Sequence, residues 1–172
     1  MRKWLVLVCS ILAFAPPGAY AAEAAIAQVP QAKMVGKGRL SLLFWEVYDA
    51  ALYAPQGQWR EEAPMALVIH YFREIEGKDI ADRTIREMRQ QGFAEEDVLA
   101  GWLQALRKIF PDVRRGSELT GVYVPGKATR FYLDDREIGQ VKDPAFGPRF
   151  FNIWLAENTS EPGLRQQLLG KP

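Results

Sequence analysis

Apolar positions along the chain switch between the two-residue period of strands and the three-to-four-residue period of helices, and the switches come in a simple order. Residues 36–55, GKGRLSLLFWEVYDAALYAP, form a β-branched and aromatic run with glycines in front and a Pro-Gln-Gly turn behind, long enough for two strands or one bent one. Residues 65–72, MALVIHYF, are apolar on both alternating faces, which predicts a central strand covered on both sides. Two helices follow. The first, over 78–91, carries Ala81, Ile85 and Met88 and ends at Gly92; the second, over 95–110, has a wide stripe from Val98 to Phe110, acids at its start and Arg107-Lys108 at its end.

Strand character returns at 119–124, turns at Pro125-Gly126-Lys127, resumes at 128–133, and after Asp134-Asp135 gives a short strand at 137–141. Asp143-Pro144 predicts a helix start before Phe146, Phe150, Ile153 and Trp154, and Asn158-Thr159-Ser160 caps a last helix with Pro162 in its first turn. Hairpin connections between the strands argue for an α+β fold: an antiparallel sheet with helices packed on one face.

Residues 1–21 read differently. Arg2 and Lys3 precede an apolar stretch from Trp4 to Ala15, a Pro16-Pro17-Gly18 break and the small-x-small site Ala19-Tyr20-Ala21, the pattern of a cleaved secretory signal. Its apolar core is shorter than the roughly 20 residues of a membrane span. The expected location is exported, periplasmic or secreted. Residues 22–33 then form a flexible lead-in and 34–172 the folded domain. Cys9, the sole cysteine, falls in the signal, so neither disulfides nor thiol chemistry are expected in the mature chain. The 22 basic and 21 acidic residues are balanced and no basic tract is present, which points away from nucleic acid and anionic membranes as charge-selected partners.

Candidate chemistry is sparse. Arg39 sits in the apolar run with Glu46, Tyr48 and Asp49, and an arginine buried there would need hydrogen bonds or a ligand. His70 is the only histidine, too few for a metal site or a Ser/His/Asp set, and is expected to be a hydrogen-bonded structural residue. Thr159 and Ser160 read as caps, Asp134-Asp135 as a turn and Arg130 as solvent-facing. No catalytic residue, metal site or cofactor is assigned.

The runs 36–55, IHYFREIEGKDIADRTIREM at 69–88 and FFNIWLAENTSEPGLRQQLLG at 150–170 resemble the chalcone isomerase family, in particular its bacterial exported chalcone-isomerase-like branch. The resemblance implies an open-faced β-sandwich: a large antiparallel sheet, helices on one side and a ligand cleft between. The plant enzymes of the family use an arginine on the first long strand, a threonine on the next, and Tyr-x-x-Lys-x-x-x-Asn on a helix after a Gly-Lys pair. Here Arg39 and Gly77-Lys78 match, but Ile80, Arg83 and Glu87 stand at the tyrosine, lysine and asparagine positions, and Tyr48 at the threonine position. Loss of the phenol donor and gain of a carboxylate oppose ring closure on a phenolate.

Fatty-acid-binding members of the fold pair the arginine with a tyrosine, so the resemblance implies that Arg39 and Tyr48 bind a small apolar carboxylate in a non-catalytic cleft. Nine positions apart on an uninterrupted strand they would face opposite ways, so convergence requires a turn or bulge between Leu40 and Val47, where no Gly, Pro, Asn or Asp marks one. Two alternatives stay open. One is an isomerase or lyase of the chalcone isomerase type acting on an enone or phenolic substrate; the other is a cell-envelope interaction module using Trp59, Trp102 or Trp154. Phe44 and Trp45 could also seal the cleft.

Overall fold

The computed structural model describes residues 22–171; the signal-like segment 1–21 lies outside them. Six strands form one antiparallel sheet in sequence order: β1 (Ala32–Leu42), β2 (Trp45–Pro55), β3 (Met65–Tyr71), β4 (Glu118–Tyr123), β5 (Thr129–Leu133) and β6 (Arg136–Val141). Helices α2 (Gly77–Gln90) and α3 (Glu96–Ile109) fall between β3 and β4; α4 (Phe146–Leu155) and α5 (Pro162–Leu168) follow β6. The expected α+β architecture is the observed one, with the ends of α2 and α3 within a residue of the sequence reading and α4 shorter than that reading at both ends.

The main core lies between the sheet and these four helices. Leu52, Leu67, Ile69, Leu119 and Phe131 face Met88, Leu99, Leu106, Phe146, Phe150 and Phe151. Phe131 is fully buried and takes edge-to-face contacts from Phe110, Phe146 and Phe150 with centroids at 4.9, 6.2 and 5.2 Å. Such offset geometry follows the ring quadrupoles. Glycines let α5 close the edge of the sheet: a Cβ on Gly36 would meet the backbone carbonyls of Gln167 and Leu168, and one on Gly38 the side chains of Leu164 and Gln167.

The opposite face has a small core of its own. α1 (Glu23–Ile26) and the turn after it bury Ala25 and Val29 against Ala66, Val122 and Tyr132. Residues 22–31, expected as a flexible lead-in, are therefore packed. Their small side chains give no period, yet they cover the second apolar face of β3 that the sequence predicted.

Two further expectations change. Trp102 and Trp154 are buried in the main core and offer no aromatic surface, and Trp59 is part-buried. Asp143 does not cap α4 directly; its carboxylate accepts from Ala145 N at 2.9 Å and from Trp102 Nε1 at 3.0 Å, joining the start of α4 to α3.

Candidate functional site

Strand register decides what Arg39 and Tyr48 can do. The run from 36 to 55 turns at Leu43-Phe44, where Leu43 has φ 56°, so Arg39 lies on β1 and Tyr48 on β2. Arg39 pairs with Asp49, and Leu40 with Tyr48. Directly opposed residues share a face and neighbours alternate, so Arg39 and Tyr48 point to opposite sides of the sheet.

Arg39 points away from the helices, nearly half exposed. Its guanidinium donates to both carboxylate oxygens of Asp49, Nε to Oδ1 at 2.6 Å and Nη2 to Oδ2 at 3.0 Å, and also pairs with Glu46. It stacks over Phe72 at 4.8 Å. These bonds raise the Arg39 pKa further and hold Asp49 below the ordinary carboxylate value. The expected Arg39–Tyr48 pair is thus not assembled: a local ion cluster satisfies the arginine. His70 shares this outer face, its Nδ1 3.4 Å from Glu118, in the structural role expected of it.

On the helix side a cavity of about 460 Å³ opens between the β1–β2 end of the sheet and α2 and α4. Its apolar wall includes Leu40, Leu42, Val47, Ile69 and Ile153. A bulge leaves Val47 unpaired between Tyr48 and Glu46, so Val47 and Tyr48 both reach the cavity. α2 contributes Ile80, Arg83, Thr84 and Glu87, spaced i, i+3, i+4 and i+7 and hence on one face. The start of α2 is fixed where Gly77 N–H donates to Asp112 at 2.9 Å, with Gly77 too close to the Phe110 backbone to carry a side chain.

The polar groups of this cleft include two separate hydrogen-bonded sets, and Asp79, Asp82, Arg86 and Glu161 also line it. Trp154 Nε1 donates to the Tyr48 hydroxyl at 2.9 Å, and Tyr71 stands edge-on to Tyr48 with centroids 5.9 Å apart. Burial pushes the Tyr48 phenol up to about 12 and Tyr71 higher still, so both remain neutral donors at ordinary pH. Arg83 pairs with the buried Glu87 at 3.0 Å, and Ser160 Oγ donates to the other Glu87 oxygen at 2.9 Å. Ser160, expected as a cap, instead belongs to the site, and Thr159 does not cap α5 either: its hydroxyl donates to Ile153 O at 2.6 Å and accepts from Glu161 N at 3.2 Å, ahead of the helix. Among the described residues no cluster of His, Cys, Asp or Glu is arranged to hold a metal ion.

A family model described as chalcone isomerase-like matches residues 18–170. The chain belongs to the chalcone isomerase-like family. A Haemophilus influenzae member described as an uncharacterized protein is 32% identical over 128 residues, 74% of this chain and 62% of that relative. The chain therefore spans less than two thirds of the relative's length. Among solved structures, an Arabidopsis thaliana fatty-acid binding protein superposes with a TM-score of 0.62 over 81% of this chain and 87% of that one, at 13% identity. That likeness establishes the chalcone isomerase-like fold. Within the family pattern Ile80, Arg83 and Glu87, the divergent helix positions, all line the cleft, whereas the matching Arg39 does not.

Arg83 is the residue the sequence reading underused. It was visible as the cation at the family's lysine position, on the helix edge beside the Ala81/Ile85/Met88 stripe.

Proposed function

We propose that the protein binds a small elongated apolar acid of the fatty acid class, non-catalytically, in the cleft between β1–β2 and α2–α4. The observation that carries this is a largely apolar cavity of about 460 Å³ whose wall holds two neutral phenols, Tyr48 and Tyr71, and two arginines, Arg83 and Arg86, beside the carboxylates of Asp79, Asp82, Glu87 and Glu161. That volume lies in the range of roughly 300–1,000 Å³ that ligand sites occupy. The fold shared with a fatty-acid binding protein supports the same reading.

Arg83, in place of Arg39, orients the carboxylate. A guanidinium has five N–H donors, and the Glu87 contact leaves others for a ligand. Tyr48 and Tyr71 add neutral donors. A charged hydrogen bond contributes roughly 1.5–3 kcal/mol, and each buried methylene about 0.8 kcal/mol, so the chain supplies most of the affinity and Arg83 the orientation. The isomerase reading gains nothing from the cleft: Ile80 puts an alkyl wall where the plant enzymes carry a phenol, and His70 lies on the other face.

Calorimetric titration with a chain-length series of saturated acids tests the proposal. Affinity is expected to rise roughly fourfold per methylene, the equivalent of about 0.8 kcal/mol, and to level off once the cavity is full. Absence of heat across the series, with no acid bound to gently purified protein in native mass spectrometry, would overturn it.

A further inference from the structure

The most unusual surface lies at the mouth of this cleft. The β1–β2 hairpin outruns its neighbour: β2 pairs with β3 only up to Tyr48 opposite Tyr71, leaving residues 41–46 as a projecting two-stranded ribbon. At its end Leu42 is 44% exposed, Leu43 92%, Phe44 97% and Trp45 61%. Single exposed apolar residues are ordinary, but four in succession at a tip are not.

The turn itself breaks a local rule. Positive φ at a two-residue hairpin loop calls for Gly, Asn or Asp, yet Leu43 adopts φ 56° and Phe44 follows it. A strained backbone combined with a solvated apolar tip is unfavourable for folding on both counts, the mark of a functional element. The base is braced instead: Arg39 ties Asp49 and Glu46 together and stacks on Phe72. Arg39 thereby has a role that its position outside the cleft left unexplained.

We propose that this tip is a membrane-docking element, which inserts Leu43, Phe44 and Trp45 into the surface layer of a phospholipid bilayer. Leu42 belongs both to the tip and to the cavity wall, so insertion brings the cleft mouth to the lipid. The shape favours a bilayer over a protein groove: Leu42 and Trp45 are cross-strand partners and Leu43-Phe44 cap the ribbon, making a convex knob. The Arg73 guanidinium lies over the Trp45 ring at 4.6 Å, an amphipathic pair suited to the interface between acyl chains and head groups. Arg39 and Arg73 balance Glu46 and Asp49 nearby, so apolar insertion drives docking and anionic lipid is not required. Docking stands apart from the ligand; passage of an acid between bilayer and cleft rests on the proposed function.

Co-sedimentation with phosphatidylcholine vesicles is the test. Wild-type protein is expected to bind, with little change between low and high salt, and the Leu43→Asn/Phe44→Asp variant to bind at least about tenfold more weakly, two inserted side chains being lost. Because both positions are solvent-exposed, the variant should fold normally and titrate dodecanoate in vesicle-free buffer like wild type. Wild type that ignores vesicles, a variant that binds them equally, or a wild-type dimer in gel filtration that the variant dissolves would each overturn docking. Vesicle binding that needs the tip, in a protein that takes no fatty acid, would uphold docking while refuting the cleft reading.

Discussion

The two faces of the sheet use the same kinds of residue for different ends. On the outer face Arg39, Asp49, Glu46, His70 and Glu118 form exposed or half-exposed pairs that satisfy one another. On the inner face Arg83, Glu87, Ser160, Tyr48 and Tyr71 line a cavity among apolar side chains. Solvent screens the first set, and such surface pairs contribute little. The second set stands in a partly desolvated pocket where a ligand can use it. Which face a side chain occupies, more than its type, separates a member of a surface ion cluster from a cleft-lining group.

Neighbouring residues on β5 give the largest contrast. Phe131→Ala, which empties the centre of the inner aromatic cluster, is expected to cost about 3–5 kcal/mol in denaturant unfolding. Arg130→Ala, one position along and solvent-exposed, should stay within about 0.5 kcal/mol. Equal losses would show that the two faces are not energetically distinct.

Extremes of pH should separate the faces next. Tyr48 is raised from 10 to about 12 by burial, so its neutral form stabilises the fold fully below pH 10 and that contribution, on the order of 3 kcal/mol by the linkage relation, is lost as pH rises towards 12. Tyr71 adds to the loss in the same direction. Asp49 runs the other way: its lowered pKa contributes stability above the unfolded carboxylate value of about 3.9, lost as pH falls through the folded one. Urea midpoints across pH in Tyr48→Phe and Asp49→Asn should show a shallower alkaline limb in the first and a shallower acid limb in the second.

A smaller effect concerns the competition inside the cleft. Glu87→Gln removes a carboxylate beside Arg83 while keeping an amide to meet Ser160, and should tighten dodecanoate binding roughly fivefold, about 1 kcal/mol of like-charge repulsion. Weaker binding would mean that Glu87 matters more for holding Arg83 in place than for repelling the ligand.

Element order and the antiparallel sheet were legible because period, glycines and prolines agree at each boundary: Gly92 and Gly126 adopt the positive φ that their positions imply. The hairpin turn was not, since Leu43-Phe44 carries no turn chemistry; the opposed faces that simple alternation gives Arg39 and Tyr48 hold all the same across the turn and the bulge at Val47. The cleft was half legible. Tyr48 and the α2 positions could be named, but Ser160 reaches Glu87 across 73 residues of sequence, and no local pattern encodes such a contact. The packing of residues 22–31 was hidden for a similar reason, because small side chains leave no periodic signal.

The most direct measurement compares the two arginines. Dodecanoate affinity in Arg83→Ala and Arg39→Ala should separate them, with Arg83→Ala weaker by about tenfold or more, as loss of a charged hydrogen bond implies, and Arg39→Ala indistinguishable from wild type in vesicle-free buffer. Binding lost in Arg39→Ala and kept in Arg83→Ala would contradict the account and move the site to the outer face.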